Sequence, residues 1–135
     1  VIPNSIVLAQ AAIESGWGKS RFAKEYNALF GEYTYDQNKG VVPLRRDNGA
    51  KHLIKAFSSY DNSVSSYFKN INSHNAYKDF RNIRRIMRSK NNFNEIDLLI
   101  NKLNTYAEDN NYIKTLKAVI KNNKFEIFDK KVILY

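Results

Sequence analysis

The chain has 135 residues, 43% of them apolar and 13% aromatic, which suits a globular domain with a real core and excludes a disordered segment. It has no cysteine, so disulfides, thiolate metal sites and cysteine nucleophiles are all excluded. Its net charge of +9, from 22 Lys and Arg against 13 Asp and Glu, favours a polyanionic partner: nucleic acid, an anionic membrane or an acidic wall polymer.

The first residues, VIPNSIVLAQ, lack an initiating Met and a basic leader, so a fragment of a longer chain or a mature secreted form is expected. No apolar run approaches the roughly 20 residues of a membrane span. Asn4 or Ser5, after Pro3, can cap a helix over about residues 5–15. That helix is apolar almost all round, so it is expected to be buried and central. Gln10 and Glu14 are its polar exceptions, four apart on one face. Gly16 and Gly18 end it around Trp17, the only tryptophan. A short second helix fits SRFAKEY, capped by Ser20 and stopped at Asn27.

The next stretch reads as β. Gly31, Gly40 and Gly49 punctuate EYTY, VVPL and HLIKAF, and Asn48-Gly49 predicts a hairpin turn between the last two. Pro43 confines its strand to an edge or a bulge. From Ser58 the pattern is helical again. Asp61 is expected to cap NSVSSYFKNIN, with Val64, Tyr67, Phe68 and Ile71 on one face. YKDFRNIRRIMRS, FNEIDLLINKLNTY and NNYIKTLKAVIKN follow as helices, and FEIFDKKVILY fits either a strand or a packed tail. The order predicts an α+β fold, predominantly helical, with a small β-hairpin lobe, in a single domain over residues 1–135. A cleft between hairpin and helices would receive Glu14.

A carboxyl at the C-terminal end of a buried helix meets two unfavourable fields. Burial disfavours the anion, and so does the partial negative charge of the helix end. Both favour the protonated form that a general acid needs. The flanking glycines would admit substrate or backbone closely, and Trp17 offers a flat face to a sugar ring or to the core. Composition alone favours the plainer roles, a solvated last-turn acid and a core tryptophan.

The stretch AQAAIESGWGKSRFAKEYNALFG resembles the N-terminal signature of the bacterial glucosaminidase family of cell-wall hydrolases. SYFKNINSHNAYKDFR resembles a later segment of that family's Bax-like branch, and TYAEDNNY resembles the family's YA-x-D-x-x-Y segment. The resemblance runs from about Ser5 to Leu116. It implies a lysozyme-like fold and an endo-β-N-acetylglucosaminidase, cleaving the β-1,4 bond after N-acetylglucosamine in peptidoglycan. Glu14 matches the general acid and Tyr106 a cleft tyrosine near the reacting sugar. Gln10, Ser15, Gly16, Trp17 and Gly18 match cleft-forming positions. Asn27, Phe30 and Gly31 match the turn into the hairpin lobe. Glu108 and Asn110 depart from the family's usual Thr and Pro, which implies a looser turn after Tyr106.

The second carboxylate is open. Inversion wants an acid about 6.5–9.5 Å from the first, and double displacement wants about 5–5.5 Å. Relatives place a glutamate before the hairpin turn, where this chain reads LRRDNGA. Asp47, Glu32 and Asp36 are the available acids, and a substrate-assisted route through the sugar's acetamido group needs none of them. Alternatives are a lytic transglycosylase, which leaves 1,6-anhydro ends, a non-catalytic wall-binding module, and a nucleic-acid binder suggested by RNIRRIMRSK. The expected partners are peptidoglycan glycan strands, with no nucleic acid and no membrane span. A monomer in the cell envelope, with no cofactor, is expected. His52 and His74 lack ligand-like spacing, so no metal is expected either.

Overall fold

The computed structural model describes residues 2–43, 49–92 and 94–129. Six α-helices and a three-stranded sheet make up its regular structure: α1 Asn4–Glu14, α2 Arg21–Tyr26, β1 Tyr33–Thr34, β2 Gly40–Val41, β3 Leu53–Lys55, α3 Tyr60–Ser73, α4 Lys78–Ser89, α5 Ile96–Ile100 and α6 Tyr112–Asn122. Three 3-10 turns, Asn75–Tyr77, Asn101–Leu103 and Phe125–Asp129, complete it. This is the predominantly helical α+β class that the element order predicts. Among the described residues no helix is long and apolar enough to cross a membrane.

The chain divides into two compact units, residues 10–68 and residues 1–9 with 69–135. In the first, the sheet has the order β1-β3-β2 and is antiparallel throughout. Tyr33 pairs with Ile54, Thr34 with Leu53, Gly40 with Lys55 and Val41 with Ile54. The strands are shorter than expected. EYTY yields only Tyr33–Thr34, because Asp36 closes a turn in which its carboxylate accepts from Asn38 N at 2.9 Å. Pro43, which has no N–H to give a ladder, lies beyond β2. The predicted turn residue Asn48 lies outside the described residues, and Gly49 has φ +85°.

The core of this unit centres on Phe30 and Tyr67, stacked with ring centroids 4.1 Å apart and both fully buried. Burying a ring of that size contributes about 1.5–3 kcal/mol. Gln10, also fully buried, accepts a hydrogen bond from the Tyr67 hydroxyl. Helix α3 starts two residues earlier than expected. Ser59, not Asp61, is its cap: the Ser59 hydroxyl accepts from Asn62 N at 3.2 Å and its carbonyl from Ser63 N at 3.3 Å. Asp61 sits in the first turn, where the helix dipole favours an anion.

In the second unit Ile71, Tyr77, Phe80, Met87, Leu99, Ile100, Leu103, Tyr112, Leu116 and Ile120 are buried. Tyr112, Leu116 and Ile120 follow one another at four-residue spacing on α6, which packs beside α5. The single helix expected over FNEIDLLINKLNTY is five residues of α5 followed by a 3-10 turn. Asn101, Asn104 and Thr105, weak helix formers, occupy its failing half. Of the tail FEIFDKKVILY, the described residues Phe125–Asp129 form a 3-10 turn, and residues 130–135 lie outside the described residues. The turn is tied down by Asn4 Nδ2 donating to the Phe128 carbonyl at 3.1 Å and Ser5 N donating to Asp129 Oδ1 at 2.9 Å. Helix α1, expected from its sequence to be buried all round, is buried on one side only. Ile6 and Ala9 are buried, but Leu8, about 200° round the axis from Ile6, is 39% exposed.

Candidate active site

Glu14 is the last residue of α1 and is half-buried. Beyond it the backbone turns through three consecutive left-handed residues, Gly16, Trp17 and Gly18, with φ of +59°, +58° and +77°. Trp17 N still reaches back to the Ala12 carbonyl at 2.8 Å. Ser15 is buried, and its hydroxyl accepts from Gly18 N at 2.9 Å, so it closes the turn from within. The turn leaves Trp17 55% exposed. A left-handed Trp costs about 1–2 kcal/mol, which the flanking glycines avoid.

Ser20 then caps α2 through Ala23 N at 3.1 Å. Asn27 ends it in a left-handed conformation of φ +54°, and its side-chain amide donates to the Phe57 carbonyl at 3.1 Å. Leu29 N donates to the Ser63 hydroxyl at 3.1 Å. These ties deliver Gly31, at φ +65°, to the Glu14 carboxyl. A β-carbon at position 31 would stand 2.9 Å from Glu14 Oε2 and 3.6 Å from its Cδ. Only a residue without a side chain fits there without moving the carboxyl.

Glu32 follows directly, and its side chain is only 12% exposed. Its Oε2 accepts from the Ser66 hydroxyl at 2.6 Å, and Lys55 Nζ lies 3.9 Å away. Lys55 also donates to Ser66 Oγ at 3.1 Å, closing a three-residue network. Glu32 Oε1 is buried without a hydrogen-bond partner among the described residues. Burial pushes the Glu32 carboxyl above its ordinary range, opposed by the Ser66 hydrogen bond and the Lys55 charge. Asp36 is exposed and spends its carboxylate on its own turn, at 2.9 Å from Asn38 N and 4.0 Å from Lys39 Nζ. Asp47 lies outside the described residues.

The residues singled out in the sequence therefore divide. Glu14 and Gly31 are brought together, with Glu32 next in the chain. Gly16, Trp17 and Gly18 are exposed. Gln10 and Phe30 are sealed in the core against Tyr67, and Asn27 and Ser15 hold backbone, so these four frame the site from behind rather than line it. Ser66, Lys55 and Tyr67 were not singled out as site residues. Of the three only Tyr67 carried a signal, a hydroxyl on the apolar face of α3. An open depression of about 670 Å³ on the sheet, lined by Tyr35, Gln37, Gly40, Val42, Lys51 and Leu53, includes none of the expected residues.

Tyr106 belongs to the other unit. It is half-buried, its ring parallel to Tyr112 at 6.0 Å and tilted against Tyr77 at 6.2 Å. The turn after it, expected to be looser, is closed by Asp109, whose carboxylate accepts from Asn111 N at 2.8 Å and whose carbonyl accepts from Tyr112 N at 3.1 Å. Among the described residues no group of three or more His, Asp or Glu side chains is arranged to hold a metal. His52 stacks on Tyr33 at 4.5 Å, and His74 Nδ1 accepts from Ala76 N at 3.0 Å.

The family model for glucosaminidase, described as mannosyl-glycoprotein endo-beta-N-acetylglucosaminidase, matches residues 1–125. The chain belongs to the glucosaminidase family. It is 36% identical to Protein bax of Escherichia coli K12 over 125 residues, covering 92% of the chain and 44% of that protein. It is 35% identical to the peptidoglycan hydrolase FlgJ of the same organism over 79 residues, 49% of the chain and 25% of FlgJ. The chain thus spans less than half the length of these relatives. In fold it matches the catalytic domain of the autolysin Auto from Listeria monocytogenes with a TM-score of 0.67, at 21% identity, over 95% of this chain and 76% of that one. It also matches an N-acetylmuramoyl-L-alanine amidase structure from Staphylococcus aureus with a TM-score of 0.68, at 26% identity, over 97% of this chain and 38% of that chain.

Proposed function

We propose that this chain is a peptidoglycan hydrolase of the cell envelope, an endo-β-N-acetylglucosaminidase that uses Glu14 as its general acid. One observation carries the reading: the Glu14 carboxyl, at the end of α1, rests against the bare α-carbon of Gly31 inside the family's signature. A carboxyl packed against a backbone position that admits no side chain is restricted in direction, which proton transfer to a glycosidic oxygen requires.

Glu14 protonates the oxygen of the β-1,4 bond as it breaks, and positive charge develops at the anomeric carbon of N-acetylglucosamine. Water adds to that carbon and loses its proton to a base. Glu32 is the base we assign. It adjoins Gly31, its side chain is only 12% exposed, and its buried Oε1 has no hydrogen-bond partner among the described residues, an arrangement costly for a merely structural acid. Trp17, exposed beyond Glu14, supplies a flat surface for a sugar. Tyr106 orients water or the substrate's acetamido group.

The deciding experiment is digestion of purified sacculi with end-group analysis by mass spectrometry. Wild type is expected to release reducing N-acetylglucosamine ends, and Glu14→Gln none. Anhydro-muramyl ends would make the chain a lytic transglycosylase, and a fully active Glu14→Gln would remove Glu14 from the chemistry.

A further inference from the structure

Helix α4 carries Lys78, Arg81, Arg84, Arg85 and Arg88 against one acid, Asp79. At 100° per residue the four arginines fall within about 100° of the helix circumference, and Asp79 lies about 200° from Arg81. The positive charge is therefore gathered on one face and is not neutralised from within the helix. Arg85 and Arg88 are exposed, and Arg81 and Arg84 are half-buried.

The face is built, not merely solvated. One Arg81 nitrogen donates to two backbone carbonyls at the end of α3, Ile71 at 2.9 Å and His74 at 2.8 Å. Arg84 donates to Asn72 Oδ1 at 2.7 Å and lies 5.8 Å from the centre of the Phe80 ring. Both guanidiniums are thus set in place beside Arg88. Burial, and then the charges of Arg88 and Arg81, lower the Arg84 pKa below its ordinary range. Like charges this close on a helix destabilise it, so the fold retains an arrangement that works against its own stability. A chain under no demand here would spread these charges or alternate their sign.

We propose that this arginine face binds the carboxylate-bearing stem peptides of peptidoglycan, as an exosite separate from the residues assigned to catalysis. The proposal rests on the hydrolase reading. A guanidinium presents a planar fork of donors that matches a carboxylate two bonds at a time. From Arg81 to Arg88 the helix rises about 10 Å, the span of about three extended residues. A short peptide with carboxylates along it meets successive arginines, whereas the uncharged glycan backbone offers them nothing.

The test compares wild type with the Arg85→Gln, Arg88→Gln double variant, which leaves the anchors Arg81 and Arg84 in place. Binding is measured to intact sacculi and to glycan strands stripped of peptides by an amidase, their freed lactyl carboxylates then capped as methylamides so that the strand is uncharged, with a short DNA oligonucleotide as a third ligand. The double variant is expected to bind intact sacculi at least tenfold more weakly, to bind stripped strands as wild type does, and to turn over stripped strands at the wild-type rate. The Arg85→Lys, Arg88→Lys variant should recover part of the loss, because charge returns without the fork. Binding to intact sacculi within twofold of wild type would overturn the proposal, as would an equal loss on stripped strands. A loss confined to DNA would overturn it in favour of nucleic acid. If the double variant does not show a wild-type thermal melt, Arg88→Gln alone, in the last turn, is read by the same criteria. Failure of wild type to cleave sacculi would refute the hydrolase reading instead, since the binding comparison needs no turnover.

Discussion

Gly31 lies so close to Glu14 that any β-carbon at position 31 would press on the carboxyl, 2.9 Å from Oε2. The φ of +65° there disfavours a side chain a second time. Gly31→Ala should therefore lose stability by about 1–2 kcal/mol, from the left-handed conformation alone. It should also lose kcat by at least about tenfold, because the acid is displaced. Denaturant unfolding and turnover on sacculi measure the two effects. A destabilised variant with wild-type kcat would show that Gly31 does not position Glu14.

Glu32 should leave a signature in the pH dependence of stability. Burial raises its folded pKa above the ordinary 4.5. The folded state then holds its proton over a range in which the unfolded chain has released it. Stability from this group is fully present below the unfolded pKa and is lost as pH rises through the folded one. Glu32→Gln removes that loss. The difference in stability should be small below about pH 4 and should move in favour of the Gln variant as pH rises towards neutrality. Melting temperatures across that range check it, and a constant offset would mean that burial does not govern this carboxyl.

The acids of the lobe should differ in turnover. If Glu32 activates water, Glu32→Gln costs about 10² or more in kcat. Asp36→Asn should cost little, since Asn can still accept from Asn38 N and hold the turn. A mild Glu32→Gln together with strong inhibition by a thiazoline analogue of N-acetylglucosamine would assign the attack to the substrate's acetamido oxygen.

Tyr106→Phe should reduce kcat more than it raises KM, if the phenol acts on the reacting centre. The ring contacts with Tyr77 and Tyr112 survive the change, so folding should be unaffected. Unchanged kcat with raised KM would mark uniform binding.

Tyr67→Phe should destabilise by about 1–2 kcal/mol, because the hydroxyl that serves the fully buried Gln10 is lost. Urea unfolding measures it. A neutral variant would show that Gln10 is satisfied by other groups.

The helices were legible where apolar spacing and capping chemistry coincide. Ser20 and Asn27 bracket α2 as expected, because each does its work within a few residues. The sheet was legible as a lobe but not in its extent, since Asp36 and Pro43 cut the strands through local turn and donor chemistry. Ser59 displaced Asp61 as the α3 cap because both residues can play the part and geometry alone selects one. Glu14 and Gly31 were legible only as members of a motif, 17 positions apart. Their contact is a tertiary fact. The Ser66–Glu32–Lys55 network had no signal at all, because two of its members are ordinary polar residues on elements distant in the chain.

The left-handed turn after α1 has a spectroscopic consequence. The chain contains one tryptophan, 55% exposed and three residues beyond Glu14. All indole emission therefore originates at a single, partly hydrated point whose backbone is fixed by the turn on either side. A glycan settling on that ring would displace water from it and shift the emission to shorter wavelength, while iodide quenching would fall. Occupancy beside Glu14 can thus be followed in the unlabelled protein, and in Glu14→Gln it can be followed with no turnover to obscure it.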